Sequence, residues 1–148
     1  MTTQNLNGQI ALVTGASRGI GAAIANTLAQ AGATVIGTAT SESGAAAIAE
    51  RLSQWGGYGR VLNASEDGAI ENLIAAIEKD FGQLDILINN AGITRDNLLM
   101  RMKDDDWDAI MNVNLKSVYR ASKAVLRGMM KRRFGRIITI TSVVGTMG

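Results

Sequence analysis

The 148-residue sequence contains no cysteine, no histidine and no proline, and the absences narrow what it can do. Without cysteine there are no disulfides and no thiol nucleophiles; without histidine there are no Ser-His-Asp triads and no ordinary zinc sites. Catalysis by these residues must use hydroxyls, amides, lysines or carboxylates. No apolar run approaches the length needed to span a bilayer, and residues 1–5 lack the charged start and apolar stretch of a signal peptide. A cytoplasmic protein that engages no membrane is the default expectation. A net charge of +2 is too small to argue for a nucleic-acid partner.

Apolar residues make up 47% of the chain, enough for a core of one domain. Strand and helix patterns alternate from end to end with no repeat or low-complexity linker, which predicts a parallel sheet with crossover helices. Strands are expected at 10–13, 34–38, 58–62, 86–89 and 136–141. Helices are expected from about Gly19, with Ile20, Ile24 and Leu28 on the apolar face beside Ala23 and Ala31, at 45–52, from Ile70 to a stop at Gly82, and at about 105–130. The last of these carries apolar residues around more than one face, including Trp107, Val113, Leu115, Tyr119, Leu126 and Met130. It should be buried on two sides, by a subunit interface or by deep packing in a larger domain.

Between the first strand and first helix lie Thr14, Gly15, Ala16, Ser17, Arg18, Gly19, Ile20 and Gly21. The glycines are spaced G-x-x-x-G-x-G rather than G-x-G-x-x-G, but the physics is shared. A diphosphate approaches backbone only where side chains are absent, and the amides at a helix N-terminus offer unpaired donors and a partial positive charge. The alternative is a plain strand-to-helix turn. No carboxylate stands at 37–41, where one would accept a ribose 2′-hydroxyl. Arg18, with hydroxyls from Ser17 and Thr40, suits a 2′-phosphate instead, which favours NADP(H); Glu42 is the counter-evidence. Arg127, Lys131, Arg132, Arg133 and Arg136 form a basic cluster, read either as a docking surface for an acidic partner or as a solvated helix end.

The glycine turn, Asn89-Asn90-Ala91-Gly92 after the fourth strand, Asn114 in the long helix and Ser142 after the fifth strand together resemble the short-chain dehydrogenase/reductase family. The stretches 92–102 and 135–140 look closer still to the members that reduce 3-oxoacyl groups on acyl carrier protein in bacterial fatty-acid synthesis. The resemblance implies a doubly wound (Rossmann) α/β fold with strand order 3-2-1-4-5, NADPH/NADP as cofactor, acyl carrier protein as partner and a homo-oligomer, a tetramer in the family. It places Gly15 to Gly21 and Thr40 on the cofactor, Asn63 and Ala64 beside the adenine, and Asn90, Ala91 and Gly92 toward the nearer ribose. Asn63 could equally be a turn residue, and Asn89 and Asn90 could tie strand ends together.

The same resemblance makes Ser142 a donor to the reacting oxygen and gives Asn114 a water for proton relay. It makes Arg133 a docking residue and lays Leu98, Leu99, Met100 and Met102 over the acyl cleft, or simply under a loop. The family's Tyr-x-x-x-Lys pair is expected beyond Gly148, so residues 1–148 are read as an NADP-binding domain incomplete at its C-terminal end; the lack of proline agrees, since members carry prolines later. Tyr119 and Lys123 match the spacing but precede the serine, and read as a surface or interface pair. The rival expectations are a non-catalytic dinucleotide-binding fragment, if nothing follows Gly148, and a related reductase acting on acyl-CoA.

Overall fold

A computed structural model describes residues 5–90 and 103–140. In chain order the elements are β1 (Ile10–Val13), α1 (Gly19–Gln30), β2 (Thr34–Ala39), α2 (Glu42–Leu52), a 3-10 turn (Ser53–Trp55), β3 (Tyr58–Val61), α3 (Ala69–Phe81), β4 (Ile86–Asn89), α4 (Asp104–Arg132) and β5 (Arg136–Thr139). The strands form one parallel sheet in the order β3-β2-β1-β4-β5. The expected doubly wound architecture and strand order are therefore observed.

β1 and β4 are buried on both faces, which is why they read as unbroken apolar runs rather than as alternating patterns. Alternate residues feed two cores. Leu12, Ile36 and Leu87 point to one side and pack with Ile70, Ile74 and Ile77 of α3 and Ala121, Val125 and Met129 of α4. Ala11, Val13, Val35, Ile86 and Ile88 point to the other and meet Ala25 and Ala29 of α1 and Ile48 and Leu52 of α2. β3 and β5 are the edges, and β5 is exposed along its length.

One expectation needs correction. The face of α1 turned to the sheet is Gly21, Ala25 and Ala29, while Ile24 and Leu28 are only partly buried and Ile20 is 62% exposed. Small side chains let the helix lie close to the sheet, and that close approach decides which face is inside. Helix α4 buries Ser117, Ala121, Val125 and Met129 within this chain, while Val113, Leu115, Tyr119, Leu126 and Met130 face outward, the side expected to meet a subunit interface or a larger domain. Its ends obey the helix dipole, with Asp104, Asp105 and Asp106 in the first turn and Lys131 and Arg132 in the last.

Candidate functional site

The chain runs outward from β1 through β2 to β3, then returns to place β4 and β5 on the other side of β1. The crevice beyond the carboxyl ends of β1 and β4 is thus the switch point at which open α/β sheets bind ligands. Thr14 and Gly15 leave β1 there, and Asn89 and Asn90 stand at the end of β4.

These residues are tied together. The Thr14 amide and hydroxyl both donate to the Ile88 carbonyl, at 3.1 and 3.2 Å, and the Thr14 hydroxyl accepts from the Asn90 amide at 3.0 Å. Gly15 N–H donates to the Thr38 hydroxyl at 3.1 Å, and its carbonyl accepts from Asn90 Nδ2 at 3.0 Å. Ala16 N–H donates to the Thr38 carbonyl at 2.8 Å, and its carbonyl accepts from Arg51 Nη2 at 2.7 Å. Every backbone polar group of Gly15 and Ala16 is therefore committed inward. The next two amides, of Ser17 and Arg18, have no partner among the described residues.

The start of α1 is correspondingly open. Arg18 occupies the N-cap without a side-chain hydrogen bond, and the first turn carries no acidic residue. By contrast, Ser41 caps α2 by accepting from Gly44 N–H at 3.1 Å, followed by Glu42. An uncapped helix start keeps its donors and partial positive charge for an external anion. The glycines fit that use in two ways. Gly19 has φ +63, and a Cβ there would meet nothing within 4 Å, so the turn faces open space. A Cβ on Gly21 would collide with the Gly15 carbonyl and Asn90 Nδ2, so only glycine lets α1 begin this close to the turn. The residues present suit a dinucleotide diphosphate.

The other expected site residues fall around this centre. Ser17, Arg18 and Ile20 are exposed on the turn, and Thr40 is exposed one residue past β2. Asn63 is exposed after β3 and its Oδ1 accepts from the amide and hydroxyl of Ser65, at 3.2 and 2.6 Å, the turn geometry foreseen as its alternative. Ala64 lines a small cleft together with Thr14, Leu62, Ile70, Asn89 and Ser117. Asn89 is buried, with its Nδ2 at 3.5 Å from both Ser122 Oγ and Thr139 Oγ1. Asn114 is half-buried on α4, one turn before Ser117, and its side chain makes no hydrogen bond with the described residues. Ala91, Gly92, Ser142 and the apolar residues 98–102 lie outside the described residues. The Lys123 ammonium sits 3.5 Å from the Tyr119 hydroxyl and 5.6 Å from its ring centre, with both residues exposed, as expected of a surface pair.

Sequence reasoning missed Arg51, whose anchor to Ala16 spans 35 positions, and Asp85. Asp85 is buried; its Oδ2 accepts from Ile10 N–H and Gln83 Nε2, each at 2.8 Å, and its Oδ1 lies 3.9 Å from Arg132 Nη2. Arg132 also donates to the Leu84 carbonyl at 2.8 Å. The basic cluster is thus divided: Arg132 is drawn against the sheet, while Arg127, Lys131, Arg133 and Arg136 remain exposed. Arg133 ends α4 in the left-handed region, at φ 56. Among the described residues no cluster of carboxylates offers a metal site, and no helix is long and apolar enough to cross a membrane.

A doubly wound sheet with a glycine turn at its switch point defines a dinucleotide-binding α/β protein, and sequence comparison defines the family. The chain belongs to the short chain dehydrogenases, whose family model matches residues 9–148. It is 65% identical over 144 residues to the 3-oxoacyl-[acyl-carrier-protein] reductase FabG of Vibrio harveyi and 64% identical over 144 residues to that of Escherichia coli (strain K12). Against the enzyme of the same name from Pseudomonas aeruginosa it is 60% identical over 146 residues. Each alignment takes in 97% of this chain and 59% of the relative, so the chain spans about 59% of the length of these curated relatives. Membership implies a nicotinamide dinucleotide as cofactor.

Proposed function

We propose that the protein to which this chain belongs reduces 3-oxoacyl groups on acyl carrier protein to 3-hydroxyacyl groups, with NADPH, in fatty-acid synthesis. The observation that carries this reading is the identity of 60 to 65% across nearly the whole chain, glycine turn included, to reductases of that name. When bound, the dinucleotide supplies a hydride. The residues of this chain bind and orient: the Ser17 and Arg18 amides and the start of α1 hold the diphosphate. Arg18 with Ser17 and Thr40 meets a 2′-phosphate, so NADPH is favoured over NADH. Asn63, Ala64, Asn90, Ala91 and Gly92 frame the adenosine and the nearer ribose.

At the reacting carbonyl, charge builds on oxygen during reduction, and the Ser142 hydroxyl donates to it. The Asn114 side chain, with no hydrogen bond to the described residues, holds a water for proton relay. Arg133 and the exposed cations near it receive the acidic carrier protein. The outward apolar side chains of α4 suit a contact between copies of the chain, in keeping with a homo-oligomer, a tetramer in the family. Cytoplasmic placement accords with this activity.

The test is turnover by the complete protein of one 3-oxoacyl group presented on carrier protein and on coenzyme A, with NADPH or NADH. Preference for carrier protein and NADPH is expected. Equal turnover of the coenzyme A thioester contradicts the partner assignment, equal use of NADH contradicts the 2′-phosphate assignment, and no turnover at all contradicts the activity.

A further inference from the structure

Arg51 stands in the last turn of α2, where any cation complements the helix dipole. The fold gives it a second task. Its Nη2 donates to the Ala16 carbonyl at 2.7 Å and its Nε to Asn26 Oδ1 at 3.0 Å, so one planar guanidinium joins α2 to α1 and to the glycine turn. The Ala16 carbonyl shares a peptide plane with the Ser17 N–H. The chain has no cis peptide among the described residues, and in a trans peptide the C=O and N–H point in opposite directions. Drawing the Ala16 oxygen inward onto Arg51 therefore turns the Ser17 N–H outward, and that amide is one of the two left without a partner.

The preceding peptide is fixed at both ends as well, its oxygen by Asn90 and its N–H by the Thr38 carbonyl. Arg51 completes the set. Without it the Ala16–Ser17 plane would be free to rotate, because the Ser17 N–H holds nothing inside the protein.

We propose that Arg51 is a positioning residue for the dinucleotide: by holding the Ala16 carbonyl it aims the Ser17 amide at the diphosphate. The proposal rests on the reading of the glycine turn as the dinucleotide site. It predicts that geometry matters beyond charge, since a lysine keeps the charge but cannot span Asn26 and Ala16 with one rigid fork.

The experiment compares the complete protein with Arg51→Met and Arg51→Lys. It follows NADPH affinity by equilibrium titration, kcat and both KM values, melting temperature, and hydrogen exchange at the Ser17 amide. The Met variant should bind NADPH about fivefold to twentyfold more weakly, the loss expected for one charge-assisted hydrogen bond. Lysine should restore only part of that. The KM for the acyl substrate and kcat at saturating NADPH should stay within about twofold, and bound NADPH should protect the Ser17 amide from exchange less than in the unsubstituted protein. Unchanged NADPH affinity in the Met variant, with or without a lower melting temperature, overturns the proposal, as does full restoration by lysine. Should the Met variant not fold, the lysine variant alone decides, since affinity equal to that of the unsubstituted protein overturns it. Failure of the unsubstituted protein to bind NADPH is a separate result, which overturns the dinucleotide reading and the role of Arg51 with it.

Discussion

The side-chain amide of Asn90 donates to the Gly15 carbonyl at 3.0 Å, fastening the end of β4 to the turn that follows β1. With the Asn90 amide bonded to the Thr14 hydroxyl at 3.0 Å, it ties the β4 side of the switch-point crevice to the β1 side. Replacing Asn90 with Ala removes the donor and leaves a part-buried carbonyl unpaired, which costs about 1 kcal/mol of folding stability. Because the carbonyl belongs to the turn, NADPH affinity should fall in parallel. Urea unfolding and NADPH titration check the two effects.

Gly21 is expected to tolerate nothing larger. A Cβ there meets the Gly15 carbonyl and Asn90 Nδ2, so Gly21→Ala must push α1 away from the turn at a cost of about 1–3 kcal/mol. NADPH affinity should fall by more than about tenfold, because the shift moves the amides proposed to hold the diphosphate. A variant that folds and binds like the unsubstituted protein would show that α1 can retreat without disturbing the site.

Arg18→Ala should act on one cofactor only. If Arg18 meets the 2′-phosphate as proposed, its loss should weaken NADPH binding by roughly tenfold to a hundredfold and leave NADH nearly unchanged. Parallel titrations with the two dinucleotides read the preference directly. Arg18 is exposed and caps no amide with its side chain, so stability should barely move.

Arg133 sets backbone strain against its proposed docking role. A non-glycine residue at φ 56 costs about 1–2 kcal/mol, and helices usually end on glycine at such a position. Arg133→Gly should therefore stabilise the fold by roughly 0.5–1 kcal/mol, part of the relief being offset by glycine's unfolded-state entropy. The same change should lower kcat/KM for carrier-protein substrates several-fold while NADPH affinity holds. Thermal unfolding and steady-state kinetics on one sample check both signs.

Asp85→Asn leaves Arg132 facing a neutral amide and loses the charge on its bonds to Ile10 N–H and Gln83. Arg132 is 28% exposed and 3.9 Å away, so its share is small. The bonds to the buried carboxylate dominate, and a loss of about 1–3 kcal/mol in urea unfolding is expected. NADPH affinity should not follow, since Asp85 precedes β4 at the end of the sheet opposite the glycine turn.

The fold was legible because its signals are local. Residues 10–13 and 86–89 are apolar runs, Ile70 to Ile77 repeat at helical spacing, and Gly15, Gly19 and Gly21 stand between a strand and a helix. The inward face of α1 is not marked by its large residues, Ile20 and Ile24, because close packing against the sheet selects Gly21, Ala25 and Ala29. Arg51 and Asp85 were not legible at all. Their partners are backbone groups 35 and 75 positions away, and no spacing rule connects a side chain to a distant carbonyl or amide. Arg132 looked like its neighbours in a basic run, and only the fold draws it against Asp85 and the Leu84 carbonyl.

The central claim is that the glycine turn holds the hydride donor for a 3-oxoacyl group on carrier protein. It is tested most directly by incubating the complete protein with NADPH carrying deuterium at the transferring position of its nicotinamide, together with a 3-oxoacyl carrier protein, and weighing the product. The account predicts a 3-hydroxyacyl carrier protein with deuterium at C3. NADPH that binds and remains unconsumed, or a product without the label, would contradict it.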